Sequence, residues 1–262
     1  MKNNNEQKRI LITAGPTNEY IDEVMKITNM STGRLGIELT KRFLEEGSIV
    51  TLIATRSVIR SGLYERYNLK ANKNLKSIPI ETTEDMYNRL EEEAKEKYDL
   101  VIHSSAVGDY KPEFTFRMED IAREIEKLVK EGKITYEEIL STLTNPKCKV
   151  NDDTKISSYE PNLTVKLTLT TKLISHLREW YKDSLLIGFK LLENVPKEHL
   201  MEVAQRLCIK NNMDYIIAND LYDLRNGQHL SFLVNSDGYQ NVEFHCSEDI
   251  YEQTSKLLVR KR

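Results

Sequence analysis

KITNMSTGRLGIELTKRFLEEG, Lys26–Gly47, decides how this chain folds, because a polar loop passes through Ser31, Thr32 and Gly33 directly into an amphipathic helix. Ile37, Leu39, Phe43 and Leu44 mark the apolar stripe of that helix. A helix that starts after such a turn aims its free N-terminal N–H groups and the positive end of its dipole out of the loop, and the natural occupant is an anion. Asn29, just before the turn, carries a neutral amide that both donates and accepts, which suits a polar reacting group. Helix capping by Ser31 or Thr32 accounts for the same residues and is, on spacing alone, their commoner use.

The flanking segments turn this helix into a βαβ unit. Arg9–Thr13 (RILIT) is a short apolar run that breaks at Ala14, Gly15 and Pro16, and Ser48–Ala54 (SIVTLIA) is a second strand. The expectation is an α/β, Rossmann-like fold with a mostly parallel sheet and helices on both faces. The glycines do not match GxGxxG, and Thr55, Arg56 and Ser57 stand where an acidic residue would hold a ribose, which disfavours a dinucleotide site. Ser57–Lys76 shows little periodicity and reads as surface structure before a strand near Ser77–Ile80. Thr83–Lys97 places Met86, Leu90 and Ala94 on one stripe of a solvated helix.

Tyr98–Ser104 is the next buried strand and runs into a second chemical loop, SAVGDYKP, Ser105–Pro112. Small residues at the carboxyl end of a parallel strand let a ligand approach the backbone. Asp109 is suited to a metal or a ligand hydroxyl, and equally to an ordinary turn. His103, inside an apolar strand, reads as a satisfied core histidine. At about 113–151 the α/β rhythm gives way to a helical insertion, with patterns around Glu119–Lys130 and Thr135–Leu143. It leads into a polar flap at about 152–162, where Lys155 either delivers positive charge on closure or is a solvated loop lysine.

The second half resumes the rhythm: a helix at Leu173–Trp180, a strand at Ser184–Phe189, a helix at Lys197–Asn211 and a strand at Tyr215–Ala218. Phe189, after a glycine at a strand end, is placed to cover a planar base or to pack in the core. Arg206 and Lys210, at i,i+4, share a helix face that would meet a polyphosphate or simply face solvent. A β-hairpin around SDGYQ and a C-terminal helix from Glu248 to about Val259 complete a single domain, 1–262.

Composition narrows the partners. A chain of 262 residues with 39% hydrophobic content buries a sizeable core, and a net charge of -3 with interspersed signs gives no footprint for nucleic acid or an anionic membrane. No apolar run reaches the roughly 18 residues of a membrane span. Three isolated cysteines, Cys148, Cys208 and Cys246, with no secretory signal point to a reducing, cytoplasmic setting without disulfides.

TAGPT, ITNMSTGRLG, SAVGDYKP, DTKISS, IGFKLL and YIIANDL, in this order and spacing, resemble phosphopantothenate–cysteine ligase in its stand-alone bacterial form. The likeness spans nearly the whole chain, and ITNxSTG followed by the AVxDY loop is its most specific part. It implies an enzyme that makes an acyl-nucleotide (acyl-CMP) from 4′-phosphopantothenate and CTP (ATP in eukaryotic members) with Mg2+, releases pyrophosphate, and lets the L-cysteine amine displace the nucleotide. It further implies a homodimer whose subunits share the site. Carried over residue by residue, Asn29 matches the asparagine that contacts the pantothenoyl carboxyl region, and Ala106 lies where the substrate loop approaches it. Gly15, Ser31, Gly33 and Gly36 correspond to phosphate-binding backbone. Ser105, Asp109, Phe189, Arg206 and Lys210 fall at or near nucleotide contacts, and Lys155 matches the first lysine of the flap. No metal ligands are assigned. Pro16 replaces a glycine and removes one backbone donor, Met25 stands where many bacterial members carry arginine, and the flap reads KISS in place of KIKK. The rival classes are a Rossmann-type NAD(P)-dependent oxidoreductase and a nucleotide-sensing protein without turnover.

Overall fold

The computed structural model describes residues 7–150, 156, 159 and 161–260. These cluster into two compact units, one formed by 7–17, 29–107 and 171–260 and the other by 18–28 with the described part of 108–170. The insertion read at 113–151 falls inside the second.

The first unit is built on an eight-stranded sheet. Its strands are β1 (Arg9–Ala14), β2 (Ile49–Thr55), β3 (Leu75–Ile80), β4 (Leu100–His103), β5 (Leu185–Leu192), β6 (Tyr215–Asp220), β7 (Ser231–Asn235) and β8 (Gly238–Phe244). They lie in the order β8-β7-β6-β5-β4-β1-β2-β3. The run from β3 to β6 is parallel, and β7 and β8 close one edge antiparallel. This is the doubly wound arrangement expected from the sequence. The chain reverses its direction of travel across the sheet between β1 and β4, so the crevice beyond their carboxyl ends is the topological switch point, where such sheets take ligands.

The long helices that cover the two faces are α1 (Arg34–Glu45), α2 (Thr83–Glu93), α3 (Lys197–Lys210) and α4 (Ser247–Arg260). Alternation along the strands sorts them. Ile10, Ile12, Leu52 and Ile102 bury with Ile37, Phe43 and Leu44 of α1 and Tyr251 and Leu258 of α4. Leu11, Ile53, Val101 and Leu186 bury on the other face with Met86 and Leu90 of α2 and Leu200, Ala204 and Cys208 of α3. Each such side chain contributes about 1.5–3 kcal/mol relative to exposure, which is why these stripes fix the register of helix on sheet. α2 starts where it does because Thr82 accepts the Asp85 N–H and the Asp85 carboxylate accepts the Thr82 N–H, a reciprocal capping box.

The stretch after β2 differs from its reading as surface structure. Short helices at Arg56–Ile59 and Gly62–Arg66 bury Val58 and Tyr64 in the core under α1. Elements of four or five residues are too short for a 3.6-residue period to register.

The second unit is not helical alone. Tyr110–Arg117 is the centre of a three-stranded antiparallel sheet between Lys149–Val150 and Leu163–Leu169. Phe114 and Phe116 bury against Ile121 of the helix Met118–Lys130, and a second helix spans Tyr136–Thr144. Pro112 and the register shift beside it interrupt the alternation that would have announced the strand. Residues 18–28 form a small hairpin, Asn18–Tyr20 against Lys26–Thr28, whose turn is tied by the Asp22 carboxylate accepting the N–H groups of Val24 and Met25.

Candidate functional site

α1 begins at Gly33, which adopts φ 69° in the left-handed region and offers no side-chain cap. The expected Ser31 or Thr32 cap is absent: Ser31 Oγ and Thr32 Oγ1 instead accept long bonds, each 3.4 Å, from the N–H groups two residues on. No acidic residue occupies the first turn. The dipole end of α1 is thus left without a resident anion.

Two glycines make room for this geometry. Gly15, at φ 81°, would place a Cβ 2.4 Å from Val58 Cγ2, and a Cβ on Gly33 would meet the same valine at 2.8 Å. Gly36 sets how closely α1 approaches β1, since a Cβ there would lie 2.4 Å from Ala14 Cβ.

The two chemical loops meet at the switch point. The Asn29 side-chain Nδ2 donates to the carbonyls of Ala106 and Val107, both at 3.1 Å. Pro16 bridges Ala106, the Ala106 N–H donates to Gly15 O at 2.9 Å, and the Thr17 N–H returns a bond to Ala106 O at 3.3 Å. Gly15, Asn29, Ser31, Gly33, Ser105 and Ala106 therefore gather at one end of the sheet. Ser105 Oγ is buried and has no hydrogen-bond partner among the described residues. A buried hydroxyl without a partner is costly, and in a folded protein it marks a place for water, an ion or a ligand group.

His103, which closes β4, is buried with its Nδ1 2.9 Å from Thr13 Oγ1. Burial pushes its imidazole down to about 4, so it is neutral near pH 7, consistent with a core histidine. Phe189 is half-buried on the α1 face of the sheet, one residue beyond the Gly188–His103 pair and so level with Ser104. It packs against the core on that face.

Arg206 and Lys210 are not brought to these loops. α3 packs on the opposite sheet face, and as the crossover from β5 to β6 it carries its last turns toward the amino ends of the strands. Both residues are exposed, and Arg206 lies 3.6 Å from Glu202. Asp109 and Met25 belong to the second unit. Lys155 lies outside the described residues. The residue missed from sequence is Thr13, buried at the end of β1, whose hydroxyl accepts the Ser105 N–H at 3.3 Å.

Among the described residues no group of three His, Cys, Asp or Glu side chains is placed to hold a metal, and no helix is long and apolar enough to cross a membrane.

Residues 5–149 match the family model of the DNA/pantothenate metabolism flavoprotein C-terminal domain. The DNA/pantothenate metabolism flavoprotein of Streptococcus pneumoniae is 33% identical and superposes with a TM-score of 0.77, covering 97% of this chain and 100% of that one. Among curated relatives, the coenzyme A biosynthesis bifunctional protein CoaBC of Thermococcus kodakarensis is 28% identical over 97% of this chain and 52% of its own length. That of Methanocaldococcus jannaschii is 32% identical over 82% of this chain and 41% of its own length. The chain spans about half the length of the curated relatives it matches.

Proposed function

The chain belongs to the DNA/pantothenate metabolism flavoprotein C-terminal domain family, and from that premise we propose that it is a phosphopantothenate–cysteine ligase of coenzyme A biosynthesis. It joins 4′-phosphopantothenate to L-cysteine through an acyl-nucleotide, with CTP or ATP as co-substrate, and releases pyrophosphate and the nucleoside monophosphate. The observation that carries this reading is the Asn29 clamp: one neutral amide holds the carbonyls of Ala106 and Val107 beside an uncapped helix N-terminus and an unpartnered buried hydroxyl.

The parts suit the chemistry. A carboxylate attacking a triphosphate is already ionised at neutral pH, so the site must neutralise charge and hold reactants in line rather than supply a strong base. The amide groups opening α1 face a phosphate, Ser105 Oγ donates to or accepts from the nucleotide, and Asn29, with its amide N–H groups given to Ala106 and Val107, holds the loop against which the acyl group lies. Phe189 covers the base from the α1 face. Magnesium, when bound, neutralises triphosphate charge. It would fit a site without a carboxylate cluster because it keeps phosphate oxygens and water as most of its ligands. The reading includes a cytoplasmic homodimer with a shared site.

The test is phosphopantothenate-dependent pyrophosphate release, measured with CTP and ATP side by side, followed by cysteine-dependent product. A protein that binds nucleotide but releases no pyrophosphate under any of these conditions is not a ligase.

A further inference from the structure

We propose that Thr13 is a positioning residue for Ser105, holding it through its backbone N–H from inside the sheet, with His103 fixing the Thr13 hydroxyl. This deepens the ligase reading and rests on it for the meaning of the site.

Thr13 is fully buried in a central parallel strand, where a β-branched apolar residue is the usual occupant and a hydroxyl is a liability unless satisfied. Its carbonyl and hydroxyl are both spent on the segment that leads into the second loop. The Thr13 carbonyl accepts the Ser104 N–H at 3.3 Å and the Ser104 hydroxyl at 2.6 Å. Thr13 Oγ1 accepts the Ser105 N–H at 3.3 Å and pairs with His103 Nδ1 at 2.9 Å.

The register shows why this is a device rather than an accident of packing. The ladder between β1 and β4 ends at the Thr13–His103 pair. Beyond it, the Ser104 and Ala106 N–H groups bond to the carbonyls of Thr13 and Gly15, and the Ser105 N–H between them turns to the Thr13 side chain. The residue held this way has a buried hydroxyl of its own with no partner among the described residues. Thr13 therefore fixes the backbone that carries this hydroxyl, at the loop that borders the switch point. His103, kept neutral by burial, brings no charge into that crevice.

The experiment is a double-mutant cycle on full-length protein, read as the Kd for magnesium–CTP and magnesium–ATP by titration, with pyrophosphate release followed in parallel. Thr13→Val keeps the shape and removes the hydroxyl; Thr13→Ser keeps the hydroxyl. Thr13→Val and Ser105→Ala are each expected to weaken nucleotide binding up to about tenfold, the size of one hydrogen bond. Together they should be within about twofold of Ser105→Ala alone, because the positioned group is already gone. Thr13→Ser should stay within about twofold of wild type. If Thr13→Val does not fold, His103→Leu takes its place in the cycle under the same criterion. Multiplying losses of about a hundredfold, or a Thr13→Ser variant as impaired as Thr13→Val, would overturn the proposal. Wild type that binds nucleotide without turnover defeats the ligase reading while the Kd cycle still decides the role of Thr13, and wild type that binds no nucleotide defeats both.

Discussion

The switch-point loops and the outer face of α3 belong to the same compact unit and carry residues of the same expected use, yet the structure treats them differently. The loops are stitched together across 77 residues of chain by the Asn29 side chain, and they sit where the crevice of a doubly wound sheet opens. Arg206 and Lys210 are correctly paired on one helix face, but that face looks to solvent from the other side of the sheet. An i,i+4 spacing says that two side chains share a direction. It does not say which face of a sheet the helix covers or which end its last turn reaches. A loop directly after a parallel strand carries that information, because the strand's direction fixes its end.

The largest effect that would break this contrast concerns Asn29. Asn29→Ala should fold normally and lose roughly 10²- to 10³-fold in turnover, the size of one lost preorganised polar contact at a reacting site, because the Ala106–Val107 loop is no longer held there. Steady-state ligase assays that find near-wild-type turnover would remove Asn29 from the site.

Second in size is the acid response of the sheet beneath the loops. The His103 pKa is lowered from 6.5 to about 4 on folding, so the unfolded chain binds the proton more readily between those values. This buried histidine costs nothing above about pH 6.5, and stability is lost as pH falls from there toward 4. Urea unfolding at pH 7 and pH 4.5 should show wild type losing roughly 2–3 kcal/mol more than His103→Gln over that interval. Equal losses would mean that the imidazole is not held neutral.

Phe189→Ala sharpens the division between site and core on one side chain. If the half-buried ring also covers the base, as proposed, nucleotide KM is expected to rise roughly tenfold with kcat nearly constant, the signature of lost uniform binding. A fall in melting temperature with an unchanged KM would assign the ring to the core alone. The smallest effect is expected on α3: Arg206→Ala with Lys210→Ala should leave nucleotide KM within about twofold, since an exposed pair such as Arg206–Glu202 is worth little.

Much of the architecture was legible because it rests on periodicity. The apolar stripe of α1 and the continuous apolar runs of β1, β2 and β5 pointed to a parallel sheet with two covered faces, and the hairpin and final helix followed from turn chemistry and a closing amphipathic pattern. Elements that escaped were those whose pattern is cut short: Val58 on a four-residue helix, and Phe114 and Phe116 beside Pro112. Within the site, Asn29 stood out as the neutral amide just before the turn into α1, and Ser105 and Ala106 because they follow a strand end. Thr13 did not, since in the run RILIT a threonine reads as one more β-branched strand former. Its significance lies in partners 90 residues away in sequence, which only the closed sheet brings to it.

The most direct test that the chemistry belongs to the switch point is a single-turnover pyrophosphate burst, run on wild type, Asn29→Ala and the Arg206→Ala/Lys210→Ala variant with phosphopantothenate, nucleotide and magnesium but no cysteine. Wild type and the α3 variant are expected to release about one pyrophosphate per site at similar rates and then stall with the acyl-nucleotide protected, while Asn29→Ala slows the burst by about two orders of magnitude. An unimpaired burst in Asn29→Ala together with a lost burst in the α3 variant would contradict the assignment and move the reacting site to the other face of the sheet.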